Sequence, residues 1–425
     1  MQFQNSLSFA QSLDAADALA PYRGQFYFPQ HNDRDVIYFC GNSLGLQPKN
    51  VAAAIEIELA TWRNLAIEGY FKGPHPWLHY HEFLRGSLAQ IVGAKPEEIT
   101  VMNALTVNLH LMMLSFYQPT AQRYKIIMEA GAFPSDQYAI ETQVKHHGFR
   151  PDDAIIEIAP RPGEKLISQE DILTAIEANS TSLAMVVFGG INYYTGQLFN
   201  IEAITAAAHK AGAIAGWDLA HVTGNVPTQL HQWNVDFAVW CSYKYLNAGP
   251  GAAAGVFVHE HYAQQTQLPR LAGWWGNDES TRFKMEKGFF AKPNASGWNL
   301  STTPVFNMVA LKASLQLFDA AGMQNLRNKS MLLTNFLAYL LEPLQKNIFS
   351  IITPDNEAER GAQLCLFFTK KGRAVYEALL ANGIVVDYRE PGVIRIAPTP
   401  LYCSFTDVYE CVQIMQQVLQ NTGEE

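Results

Sequence analysis

Apolar residues recur along this chain in two rhythms, and the switch between them predicts the architecture. Residues 51–65 carry apolar positions at helical spacing, and a second such stretch covers 81–92 after the break at Pro74 and Pro76. From about residue 100 onward, short apolar runs alternate with amphipathic segments. The spacing predicts a helix over 107–117 with Thr106 as its cap, a strand over 124–128, a helix over 137–146 and a strand over 183–188. Asn200 is placed to cap a helix over 201–210 that Gly212 ends. The runs 213–217, 235–240 and 254–258 read as buried strands. Strands alternating with helices in this order predict an α/β fold, with a mostly parallel sheet covered by helices on both faces.

After Thr303-Pro304 the rhythm changes. Long helical patterns run over 305–320 and 323–344, followed by short strands at 349–352, 363–368 and 393–396 between helices near 373–381 and 406–419. That is the pattern of a smaller α+β domain. The first 35 or so residues read as a polar arm with some helix. The division expected is therefore 1–65 as an arm and helix contributing to the small domain, 66–304 as the large domain, and 305–425 as the small C-terminal domain.

Composition narrows the function classes. With 48% apolar and 16% charged residues, the 425-residue chain has ample material for a large core. Its net charge is 30 − 39 = −9 with no basic block, which argues against a nucleic-acid or acidic-membrane partner. No apolar run reaches the ~18 residues needed to span a bilayer, and Asp14 and Asp17 precede the first basic residue, Arg23, unlike a secretory signal. The five cysteines are scattered without a C-x-x-C pair, so no disulfide framework or structural zinc site is expected, and a reducing, cytoplasmic setting fits. The groups His75, His79, His81 and His259, His261 lack an accompanying carboxylate-bearing helix motif and read as solvated or core residues.

The chemistry concentrates between Asp218 and Lys244. Each follows an apolar run, so a carboxylate and an amine stand at the ends of two buried strands, at the sheet edge where α/β proteins bind ligands. An ordinary ion pair is the plainest account of such a pair, but its surroundings match the needs of pyridoxal phosphate. That cofactor requires a lysine for a Schiff base, a carboxylate for the pyridinium nitrogen, and a cradle of N–H and hydroxyl donors for the phosphate. Thr106 at a helix start, Phe133-Pro134-Ser135-Asp136 before another helix, and Tyr243 beside the lysine supply such donors.

Eight stretches in order carry a closer likeness: Gly41-Asn-Ser-Leu-Gly-Leu-Gln-Pro, Met102-Asn-Ala-Leu-Thr-Val-Asn-Leu-His, Phe133-Pro-Ser-Asp, Tyr194-Thr-Gly-Gln, Asp218-Leu-Ala-His, Ser242-Tyr-Lys-Tyr-Leu-Asn-Ala-Gly, Gly273-Trp-Trp-Gly and Val393-Ile-Arg-Ile-Ala-Pro. Together they resemble the kynureninase family, in the class V aminotransferase-like group of fold-type I pyridoxal-phosphate enzymes. The resemblance implies a large domain with a mostly parallel seven-stranded sheet, and hydrolysis of the Cβ–Cγ bond of L-kynurenine or its 3-hydroxy form. It also implies a homodimer whose active site is shared between subunits, acting on a small aryl amino acid.

Carried residue by residue, the resemblance makes Lys244 the Schiff-base lysine and proton shuttle, and Asp218 the partner of the pyridinium nitrogen. It sets His221 near the ring's phenolic edge and Phe133 on the ring face. Leu105, Thr106, Ser135 and Tyr243 become phosphate donors, with Pro134 and Asp136 close to the cofactor and Tyr243 also a candidate proton relay. Arg395 would clamp the substrate α-carboxylate, with Asn42 beside it; Trp274 and Thr302 would reach the phosphate from the partner subunit. Tyr70, Asn277, Ser301 and Thr302 fall where the family lines its aryl pocket. Gly189 departs from members with a hydroxyl residue there. The alternatives are another fold-type I enzyme, a cysteine desulfurase or an aminotransferase, and a cofactor-binding sensor without activity.

Overall fold

A computed structural model describes residues 2–265, 267–345 and 348–423. Its centre is a seven-stranded sheet of β1 (Ile99–Met102), β2 (Lys125–Glu129), β3 (Ile155–Ile158), β4 (Leu183–Gly189), β5 (Ile214–Asp218), β6 (Phe237–Trp240) and β7 (Ala254–Val258). The spatial order is β1-β7-β6-β5-β4-β2-β3. From β6 to β3 every pairing is parallel, whereas β7 runs antiparallel to both β1 and β6.

The central strands are continuously apolar because both faces are covered. Successive residues alternate between two cores: Val186, Trp217 and Trp240 enter one, and Val187, Phe237 and Val239 the other. Helix Ile201–Lys210 is capped as expected, the Asn200 side chain accepting from Ala203 N at 3.0 Å.

The C-terminal part holds a four-stranded antiparallel sheet of β8 (Phe349–Ile351), β9 (Leu364–Phe368), β10 (Asp387–Arg389) and β11 (Val393–Ile396), in the order β8-β9-β11-β10. The N-terminal arm folds onto it. Asp14, in helix Leu7–Ala15, accepts from Phe405 N (2.7 Å) and Thr406 N (3.0 Å), placing a carboxylate on the free amides that start helix Phe405–Gly423. Residues Ile37–Tyr38 pair in parallel with Ile384–Val385.

Several sequence expectations need correction. Thr106 is not a cap: the helix spans Leu105–Phe116, Ala104 is its extended N-cap residue, and Thr106 sits in the first turn. The stretch 81–92 is helical only from Arg85 to Val92, and a 3₁₀ segment, Trp77–Leu84, precedes it. Strands β1 and β3 were not expected, because four-residue runs flanked by polar positions give little periodicity.

Candidate active site

The carboxyl ends of β2, β4 and β5 open on a cavity of about 170 Å³. Leu105, Thr106, Phe133, Ser135, Asp136, Asp218, His221, Tyr243 and Lys244 all line it, although they come from four separate stretches of chain. Two helices start there. Helix Leu105–Phe116 has no side-chain cap, and Pro134 opens helix Pro134–His146, where the absence of an N–H costs nothing. Both direct free backbone amides and a positive dipole end at the cavity.

Lys244 Nζ lies 3.0 Å from His221 Nε2 and 5.8 Å from the centre of the Phe133 ring. Burial, then the charges of Lys244, Arg395 and Arg389, holds His221 well below the ordinary imidazole range. His221 is therefore neutral and accepts at Nε2 from the ammonium, which leaves Nδ1 as the N–H; that nitrogen is buried without a partner. Phe133 is 41% exposed and meets Tyr193 edge-on, with ring centres 5.2 Å apart.

Opposite the lysine stand three buried carboxyl groups. Asp218 Oδ1 accepts from Ala220 N at 2.7 Å, and burial raises its pKa. Asp136 is raised further, by burial and then by the charges of Asp218 and Glu129, and it donates its proton to Asp218. Glu129 Oε2 accepts from Gly189 N at 2.9 Å, while burial pushes its pKa up to about 8. Gly189 is the register partner of Asp218, so Asp218 and Glu129 end the strands on either side of β4, and Asp136 joins them from the first turn of helix Pro134–His146. A Cβ at Gly189 would come 3.0 Å from Glu129 Oε1, which ties the missing side chain at 189 to the carboxyl at 129.

Beside the cavity, Arg395 Nη1 donates to Tyr193 O at 2.9 Å, and Tyr193 is itself a cavity residue. Asn42 is fully buried; its Nδ2 donates to Gln363 Oε1 at 2.7 Å, and its Oδ1 has no partner. Gln363 in turn donates to Tyr193 O at 3.1 Å, so Asn42 and Arg395 converge on one carbonyl.

Trp274, Thr302, Tyr70, Asn277 and Ser301 do not line this cavity. Trp274 is 45% exposed, its indole N–H donating to Arg282 O at 3.0 Å. Asn277 is engaged in its own loop through Thr281 Oγ1 (3.1 Å) and Phe290 N (2.8 Å). Tyr70 lies in a separate apolar hollow with Trp62, Trp77 and Phe306. Sequence reasoning missed Glu129, Tyr193 and Gln363. A carboxylate ending the apolar run 125–129, as Asp218 ends its own, was the available signal for Glu129.

Comparison with known proteins agrees with this geometry. Residues 326–415 match the profile of the kynureninase C-terminal domain. The kynureninase of Flavobacterium psychrophilum is 51% identical over 425 residues, covering 99% of this chain and 100% of its own. That of Myxococcus xanthus is 53% identical, covering 97% of each chain. Among solved structures, the cysteine desulfurase CsdA of Escherichia coli superposes with a TM-score of 0.76 at 17% identity, over 95% of this chain and 98% of its own. A C-DES variant with glycine covalently linked to its pyridoxal-phosphate cofactor gives 0.74 at 17% identity, over 89% of this chain and 96% of its own. With a cavity built around Lys244 and Asp218, and half of all positions shared along the whole length with these relatives, the chain belongs to the kynureninase family.

Proposed function

We propose that this protein is a pyridoxal-phosphate-dependent hydrolase that cleaves the Cβ–Cγ bond of L-kynurenine, or its 3-hydroxy form, to anthranilate, or 3-hydroxyanthranilate, and L-alanine. The observation that carries this reading is the full-length identity of about half to kynureninases, joined to a lysine and a carboxylate facing one cavity. The residues present fit the cofactor. The cavity offers an amine, a carboxyl cluster, an exposed aromatic face, two helix N-termini and an unpartnered buried imidazole N–H.

When bound, the cofactor supplies an electron sink conjugated to the substrate nitrogen. Lys244 is the amine that would hold it, and its free Nζ would take the proton from Cα and return it. His221 steadies that amine by accepting at Nε2. Asp218 would pair with the ring nitrogen. Its burial favours the neutral acid, and a cationic ring nitrogen opposite it would favour the carboxylate instead. Asp136 supports this by donating to the same carboxylate.

Leu105, Thr106 and Ser135 would hold the phosphate with backbone amides and hydroxyls, and Tyr243 would add its phenol. Burial raises the Tyr243 pKa, so the group stays protonated and serves as a donor to phosphate or as a proton source at Cβ. Arg395 would take the α-carboxylate as a guanidinium fork, with Asn42 next to it. Water then adds to the γ-carbonyl, the Cβ–Cγ bond breaks, the aryl acid leaves, and a proton delivered to Cβ completes alanine.

The active unit in this reading is a homodimer. Trp274 and Thr302 would reach the phosphate of the other subunit, and Tyr70, Asn277 and Ser301 would line the aryl pocket. What supports this is that the five residues stand outside the Lys244 cavity of their own chain, with Tyr70 beside the exposed Trp62 and Phe306, Trp274 against Phe283, and Asn277 bonded to Phe290. The domain limits 1–65, 66–304 and 305–425 and a cytoplasmic setting belong to the same reading, the latter supported by five free cysteines. No helix among the described residues is long and apolar enough to cross a membrane. A desulfurase would need a thiol at the reacting centre, and among the described residues no cysteine lines the cavity.

The test is anthranilate release, followed by its fluorescence, from purified protein given pyridoxal phosphate and L-kynurenine. Turnover that Lys244→Ala abolishes is expected; turnover unaffected by that change would refute the assignment.

A further inference from the structure

Arg395 sits in β11, an inner strand of the small sheet, and is 1% exposed. A guanidinium so placed must satisfy its donors within the protein. Nη1 reaches Tyr193 O, and Nη2 reaches Asp387 Oδ2 at 2.6 Å and Ser43 Oγ at 3.1 Å, while Nε is buried without a partner. Asp387 lies directly opposite Arg395 in the antiparallel register of β10 and β11, so the two side chains share a face of the sheet. Arg389, two residues along β10, falls on that same face and also meets Asp387 at 3.1 Å. From the other side, the Ser43 hydroxyl donates a short hydrogen bond to Asp387 Oδ2.

Two guanidiniums thus face one carboxylate, leaving one positive charge without a counter-ion among the described residues. An arriving carboxylate completes the balance, and Asp387 retains Arg389 when Arg395 turns part of its fork to the newcomer. We propose that Asp387, held by Ser43, is the positioning residue for Arg395. It fixes the guanidinium in one orientation before substrate arrives, with Nε unpartnered, and so sets affinity for the substrate's carboxylate specifically. This rests on the reading that Arg395 binds that carboxylate.

The test uses full-length, cofactor-loaded protein and two ligands: L-kynurenine, and kynuramine, its decarboxylated counterpart, which keeps the amine and the aryl ketone. Asp387→Asn is expected to raise KM for L-kynurenine roughly tenfold to a hundredfold, kcat changing less than about threefold and the inhibition constant of kynuramine less than about twofold. Ser43→Ala keeps the ion pair, and is expected to raise KM about threefold to tenfold with the same selectivity; it carries the test if Asp387→Asn does not fold. A parallel loss of affinity for both ligands, or KM unchanged in both variants, overturns the proposal. Arg395→Lys separates the two readings. If it raises KM alone while the Asp387 and Ser43 variants do nothing, only the positioning role fails; if it too leaves KM unchanged, the carboxylate assignment itself fails.

Discussion

The two edges of the large sheet carry similar side chains in opposite states. At the carboxyl edge, Asp218, Asp136, Glu129 and His221, their proton affinities displaced by burial, crowd a cavity with Lys244, and the His221 ring keeps a nitrogen unpartnered. At the amino edge, Asp236 and Glu98 are just as buried but fully answered. Asp236 accepts from Ala215 N (2.6 Å), His209 Nε2 (2.8 Å) and Tyr262 OH (2.5 Å). Glu98 accepts from Lys95 N, Glu260 N and His231 Nδ1, each at 2.9 Å. The antiparallel β7 explains the second cluster, because it delivers His259 and Glu260 to the edge where β1 and β6 begin. Burial alone therefore does not mark a reacting site. Buried ionisable groups gathered on one cavity, with displaced proton affinities and a buried nitrogen left unpartnered, do.

The largest expected contrast comes from removing one aspartate at each edge. Asp218→Ala is expected to bind cofactor poorly and lose roughly a thousandfold in turnover, with little loss of stability. Asp236→Ala is expected to cost about 2–4 kcal/mol of folding stability while folded molecules turn over normally, since three donors lose their acceptor. Denaturant unfolding with kcat on the folded fraction checks both, and matching profiles for the two variants would erase the contrast.

A smaller effect separates the edges by pH. The folded pKa of Glu129, about 8, lies above the ordinary glutamate value of 4.5, so the folded state holds a proton that the unfolded chain has released between those values. Stability of the cofactor-free protein must then fall as pH rises through that window. Glu129→Gln is expected to flatten the fall, raising the melting temperature at pH 8 by a few degrees more than at pH 5; parallel curves would contradict it. The smallest effect is at His209, raised by its hydrogen bond to Asp236. Its contribution is fully present below the ordinary 6.5 and fades as pH rises through the folded value, so His209→Gln is expected to destabilise slightly at pH 6 and not at pH 9. A loss that is equal at both pH values would remove titration from the account.

How much of this was legible in the sequence follows from what each feature depends on. Helix Val51–Leu65 and strand Ala254–Val258 were readable to the residue, because periodicity and apolar runs are local. That β7 runs against its neighbours was not, since direction depends on connections rather than composition. Asp218 and Lys244 stood out by ending apolar runs, yet Glu129, one position past the strand expected over 124–128, drew no notice although the same logic applies. Asp387 was invisible because its role comes from register across β10 and β11. The placement of Trp274 and Thr302 rests on the family resemblance alone, since no pattern within one chain reports on a second copy.

The central claim, that Lys244 alone carries the cofactor in the carboxyl-edge cavity, is tested most directly by reduction and mapping. Protein loaded with pyridoxal phosphate is treated with borohydride, digested, and its peptides examined by mass spectrometry. The account predicts a single pyridoxyl adduct, on Lys244. An adduct on another lysine, or none after loading, would contradict it.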